Sequence, residues 1–389
     1  MRNVRRLLVI PALTAAMIIT ACGGSHHTQT GCPSCVNSKH FVYVANDGGN
    51  QSTVSALATD ATTGVLTAIA GSPYNTGSGS LALAKNPVST HIYVANDFSG
   101  NISAFSMNAT TGTLTPLATS PVAVETGVDA IAIDPLGQFL YVVSGNSSNL
   151  WGFSIDSGGG LTQLQGMPIS ISNSGATSSS VLIDPSGKYL YVAAGSSSST
   201  SSSIFGFSRN TSTGALAILP GFPVLLNGQS NHGAFDPSGK FLLFTGNNVF
   251  GTAGGLDVFS LNSSTGSLTL ASGSPAQVRD DPAAVVVDAS GKYVYVPNTA
   301  DSTISAFTLD ANGALAPVSG SPFPSGGNGS INGPLGIATD NSGKFIYVAN
   351  ASNDVSVFSI NSGTGVLTPV GGSPFPDGGS GPSAIIFVP

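Results

Sequence analysis

FVYVAN at 41–46, HIYVAN at 91–96, FLYVVS at 139–144, YLYVAA at 189–194, FLLFTG at 241–246, YVYVPN at 293–298 and FIYVAN at 345–350 are one short segment written seven times. Counted from Tyr43, the copies are spaced by 50, 48, 50, 52, 52 and 52 residues. A period of that size is the mark of a blade that cannot bury its faces alone. Around each copy stand three more strand signals. An apolar run ending in a turn comes before it, as in VLIDPSGK at 181–188 and VVVDASGK at 285–292. A third strand follows, as in NISAFSM at 101–107 or TISAFTL at 303–309, then a Gly-containing turn and a fourth strand closing on Gly-Ser-Pro. The turn residues have separate uses: Asp accepts from turn amides, Pro fixes φ, and Gly tolerates a left-handed backbone.

The third strand is apolar on both sides: Ile102 and Ala104 point one way, Phe105 and Met107 the other. Sheets with two apolar faces need a neighbour on each, and a closed ring of sheets supplies both. The expected fold is therefore all-β, a seven-bladed β-propeller of four-stranded blades. Its ends are complementary. The first repeat starts at the YVAN strand without a leading strand, and the last residues, Ser383-Ala384-Ile385-Ile386-Phe387-Val388-Pro389, match a leading strand and nothing more. The C-terminal strand is expected to complete blade one.

Composition narrows the function classes. Only 7% of the residues are charged, the single Glu is Glu125, and the formal net charge is −7. Loss of Arg2, Arg5 and Arg6 on export leaves 8 Lys+Arg against 18 Asp+Glu, a balance of −10. No basic stretch remains to hold nucleic acid. Arginines ahead of a short apolar run, Leu7–Ile19, and a small-residue site give residues 1–21 the form of a secretory signal peptide. Ile19-Thr20-Ala21-Cys22 resembles a bacterial lipobox, which implies cleavage before Cys22, acylation of its thiol and a membrane-anchored protein, periplasmic or at the cell surface. In a Gram-negative cell, Gly23 is compatible with outer-membrane sorting. Residues 22–38 would be the lipidated tether and 39–389 the propeller. Cys32 and Cys35 form a CxxC that fits a redox pair, half a metal site or a local disulfide; an inert disulfide is the expectation in an oxidising compartment. No P-loop, dinucleotide fingerprint, HExxH or GxSxG occurs, so neither cofactor nor metal is expected.

Taken together, these repeats resemble the YVTN-repeat and lactonase-like seven-bladed propellers over residues 38–389. That family includes 6-phosphogluconolactonases, carboxymuconate cyclases and surface proteins of undefined role. Its enzymatic members carry Gly-Pro-Arg-His before an inner strand and Asn-Glu after the next. The matching segment here is Gly228-Gln229-Ser230-Asn231-His232-Gly233. His232 stands at the family His, Asn231 at its Arg, and Gly246-Asn247 at its Asn-Glu. The resemblance thus implies a catalytic role for His232 and loses the cation that would balance an anionic substrate.

Loops entering the innermost strands should meet at one mouth of the central channel. They carry Glu125, Asp129, Asn173, Asn231, His232, Arg279, Asp280, Asp281, Asn328 and Asn332. Glu125, Asn231, Asp280 and Asp281 are the candidate ligand-binding residues, with His232 and Arg279 as candidate catalytic ones. The same set reads equally as a solvated rim, with Arg279 and Asp280 as a local ion pair. Two functions follow. The leading one is a monomeric binding or scaffolding module at the envelope, facing a protein, glycan or small molecule. The other is a lactonase-like hydrolase with His232 as acid or base and Arg279 as substrate clamp.

Overall fold

The computed structural model describes residues 40–48, 51–171, 176–196, 202–247, 254–327 and 333–389, with only the backbone at 176–179, 196 and 231. The proposed signal and the whole tether, with Cys22, Cys32 and Cys35, lie outside the described residues, as do Asn173, Asn328 and Asn332.

The described residues form seven antiparallel sheets; in blades 2 to 7 the strands run outward in sequence order, and in blade 1 the last strand of the chain is innermost. The inner strands are Pro382–Val388 for blade 1, then Ser80–Lys85, Val128–Ile133, Ala176–Ile183, Gln229–Phe235, Val286–Val287 and Pro334–Thr339 for blades 2 to 7. They touch in cyclic order, so the ring is closed. The architecture is a seven-bladed β-propeller. Its fourth strand is more broken than the repeat implies. In blade 1 it is two pieces, Leu66–Ala68 and Tyr74–Asn75, on either side of Gly-Ser-Pro, both paired with the third strand, Thr53–Thr59.

The ends meet as expected. Phe41 pairs with Val388, Val42 with Phe387, Tyr43 with Ile386 and Val44 with Ile385, so the last residues of the chain give blade 1 its inner strand.

The repeated tyrosine explains much of the packing between blades. Each ring is buried, and a buried phenol needs a partner for its hydroxyl. Tyr43 Oη donates to Gly112 O (2.7 Å), Tyr93 to Gly159 O (2.9 Å), Tyr141 to Gly214 O (2.6 Å), Tyr191 to Gly266 O (2.7 Å) and Tyr295 to Gly365 O (2.9 Å). Every acceptor lies in a hairpin of the next blade. Tyr347 of blade 7 meets Thr59 Oγ1 of blade 1 at 3.0 Å, across the closing seam. In blade 5 the position is Leu243, and the seam between blades 5 and 6 has no such bond.

Polar residues in the blade interior change together. Asn46, Asn96, Asn298 and Asn350 each donate to a serine on the adjacent strand: Ser55, Ser103, Ser305 and Ser356. Blades 3 to 5 replace the pair with Ser144 and Trp151, Ala194 and Phe205, and Gly246 and Asp257. The substituted side chain then holds the incoming loop. Asp257 accepts from the Asn227 amide and from its Nδ2, both at 2.9 Å.

Candidate functional site

The channel mouth is shaped by one irregularity. On the inner strands of blades 1, 2, 3, 4, 5 and 7 the register slips by one residue, at Ser383, Leu81, Asp129, Ser179, Asn231 and Leu335. A bulge of this kind bends the strand and re-aims a side chain, and bulges concentrate beside functional sites. The residues just after it are Ala384, Ala82, Ala130, Ser180, His232 and Gly336. Five of the six are small. His232 is the one large side chain on that level.

The channel holds a cavity of about 590 Å³, lined by residues of all seven blades, with His232 the lining residue of blade 5. The ring is exposed to the lumen, and the surrounding wall is close enough that desolvation lowers its pKa from the ordinary histidine value. It has no hydrogen-bond partner among the described residues, while its carbonyl accepts from Thr245 Oγ1 at 3.2 Å.

Asp129 occupies the bulge of blade 3 and lines the same cavity. Burial, then the nearby charge of Asp97, push its carboxyl up to about 7, against a smaller opposing effect of the Gly145 amide. Lys85, at the other end of the blade 2 inner strand, is the third ionisable group in the cavity, and burial lowers its pKa. Among the described residues no three of His, Cys, Asp and Glu converge as metal ligands.

The remaining candidates go elsewhere. Arg279 lines a separate cavity of about 630 Å³ beside Gln277, Phe307 and Pro317, on the outer strands of blades 5 and 6. It is not among the residues that line the cavity holding His232, and its carbonyl accepts from the Gly254 amide (3.2 Å). Asp280 and Asp281 are exposed, and Asp281 Oδ1 accepts from Asn247 Nδ2 at 3.0 Å. Asn231 forms the bulge next to His232, and its side chain lies outside the described residues. Glu125 is occupied by the turn and third strand of blade 3: Ser147 Oγ (2.6 Å), Trp151 Nε1 (2.7 Å) and Asn149 Nδ2 (3.2 Å) all donate to it. That is the loop-holding role Asp257 plays for Asn227, with donor and acceptor exchanged. Sequence reasoning listed Asp129 among loop residues and passed over Lys85. The available signal for Lys85 was its register: Ile133, Ile183, Phe235 and Val287 fill that level in blades 3 to 6.

Comparison with known proteins agrees with this architecture. The model of the family described as lactonase, 7-bladed beta-propeller matches residues 37–224 and 227–380. No curated protein matches the sequence. Among solved structures, a putative 6-phosphogluconolactonase from Bacteroides fragilis aligns with TM-score 0.72 at 20% identity, covering 92% of this chain and 100% of that one. The periplasmic gluconolactonase of Pseudomonas aeruginosa aligns with TM-score 0.70 at 19% identity, over 90% of this chain and 99% of its own. At such identities the structural likeness carries the fold alone; the sequence model carries the kinship, and by it the chain belongs to the family of seven-bladed β-propeller lactonases.

Proposed function

We propose that the protein hydrolyses a small lactone inside the central channel, with His232 as general base and Asp129 as general acid. One observation carries the reading: these two groups face a single cavity, and both are shifted away from their ordinary titration ranges. Perturbed acid and base groups gathered in one cavity are the usual physical signature of a reactive site. The family membership and the likeness to a putative 6-phosphogluconolactonase and a periplasmic gluconolactonase support the reaction class.

The proton balance is simple. Neutral His232 takes a proton from water as its oxygen attacks the lactone carbonyl. The ring C–O bond then breaks, and the departing alkoxide takes the proton of Asp129. The product is a hydroxy acid, and the proton on His232 returns to Asp129 through solvent. His232 is competent above its lowered pKa, and Asp129 is competent below about 7. Activity should therefore follow a bell whose alkaline limb falls near pH 7.

The test is proton release from a panel of aliphatic and sugar lactones. His232→Ala should lose about 10²–10⁴-fold in kcat/KM without a change in thermal unfolding. Asp129→Asn should lose the alkaline limb. If no lactone is turned over, the reading fails and a binding module stands in its place. The separation of Arg279 from the channel and the saturation of Glu125 favour that second reading, since they remove two charged groups from the site. We also propose export and lipid anchoring through Cys22, supported by the signal-like N-terminus. Cys22→Ser should release the protein from membranes, as read by fractionation.

A further inference from the structure

Lys85 is unusual in a way catalysis does not use. Its side chain is half-buried in the channel, and among the described residues no ion pair or hydrogen bond involves its ammonium group. The single ion pair among the described residues joins Arg209 to Asp134 instead. Burial strips part of the water from Lys85 and no protein group replaces it, so an anion entering the channel would meet a cation the protein leaves unpaired.

The surroundings narrow the anion. In register, Ala82 of blade 2 matches His232 of blade 5, each the residue just after its bulge, and Lys85 is three residues further along its strand. At about 3.3 Å per residue the Lys85 level lies about 10 Å below that of His232. The wall between is built from Leu83, Ile131, Val181, Leu182, Ile337 and Ile386. It offers a sugar no side-chain donors along that span, only the open backbone edges of the inner strands, whereas its apolar side chains suit a hydrocarbon body. A lone ammonium is also a point charge suited to one negative charge; the second charge of a phosphate ester would go unbalanced.

We propose that Lys85 is the anion site of the channel, and that the ligand is an aliphatic monocarboxylate with its head on Lys85 and its apolar body reaching toward His232. This rests on the reading of the channel as the substrate site and names the substrate class, a lactone on an apolar chain with a carboxylate at the far end.

Octanoate serves as the probe, titrated calorimetrically into the full chain. Wild type should bind it, Lys85→Met and Lys85→Gln should bind it at least tenfold more weakly, and Lys85→Arg should keep most of the affinity. Octyl phosphate should bind no tighter than octanoate, and octanol should bind no better to wild type than to Lys85→Met. Thermal unfolding of the neutral variants should stay at or above that of wild type, since an unpaired cation has been removed. Equal octanoate affinity in wild type and both neutral variants overturns the proposal, as does tighter binding of octyl phosphate. Lys85-dependent octanoate binding without turnover of any lactone would refute the catalytic reading and leave this one standing.

Discussion

The seam between blades 7 and 1 and the seam between blades 5 and 6 do the same job with different means. At the first, the terminal strand Pro382–Val388 pairs along blade 1, Tyr347 meets Thr59, and the Phe387 ring stacks on Tyr347 at 5.7 Å. At the second, Leu243 stands where tyrosine would be, and the inner strand of blade 6 is only Val286–Val287. Polar contact there comes from exposed groups, Lys240 Nζ on Ala311 O and Asn247 on Asp281. The ring is fastened most thoroughly where its two ends meet, because blade 1 alone has no covalent connection between its inner strand and the next strand of its own sheet. It is least fastened beside the blade that carries His232.

Deleting residues 384–389 should have the largest effect. It strips the inner strand from blade 1 and bares Val42, Tyr43 and Val44, all buried now. The expected outcome is loss of the cooperative unfolding transition, read by circular dichroism and chemical denaturation. A truncated chain that unfolds like the full one would mean the ring does not depend on this fastening.

The seam between blades 3 and 4 gives the next effect. In the turns of blades 4 to 7, Asp184, Asp236, Asp288 and Asp340 accept from a serine two residues on. Blade 3 has Leu136 there, and Arg209 of blade 4 bonds Asp134 Oδ2 instead, at 3.3 Å, with both side chains fully buried. Arg209 Nε also donates to Gly187 O at 2.7 Å. Arg209→Ala leaves a buried carboxylate unpaired and should cost about 3–5 kcal/mol. Arg209→Leu with Leu136→Ser restores the arrangement of the other blades, and should recover most of that in denaturant titrations.

These seams also show where sequence stopped being informative. The ring and its closure were readable because both follow from apolar alternation and from two incomplete ends that fit each other. Tyr43 and its counterparts were readable as core. The site was harder, because a one-residue bulge decides which loop side chain turns into the channel, and blades of 48 to 52 residues hide a slip of one. Arg279 and His232 look equivalent along the chain, yet one faces an outer groove and the other the lumen. Glu125 looked available until Trp151, three residues into the third strand of the next blade, was seen to hold it. Lys85 had no local mark at all; only its level in the ring sets it apart.

Tyr347→Phe should have the smallest effect and is the most direct way to make one seam resemble the other. It removes the hydroxyl that reaches Thr59 and leaves the ring packed, as Leu243 leaves the seam between blades 5 and 6 apolar. Thr59 Oγ1 keeps a hydroxyl that can turn to another acceptor, so the cost should be that of one ordinary hydrogen bond, about 0.5–1.5 kcal/mol. If the terminal strand is the main fastener, the loss will appear as a small shift in denaturation midpoint with an unchanged m-value. A cost of several kcal/mol, or a lower m-value, would mean the tyrosine bond rather than the strand holds the ring shut. The seam between blades 5 and 6, which has neither, would then be the place where the ring opens first.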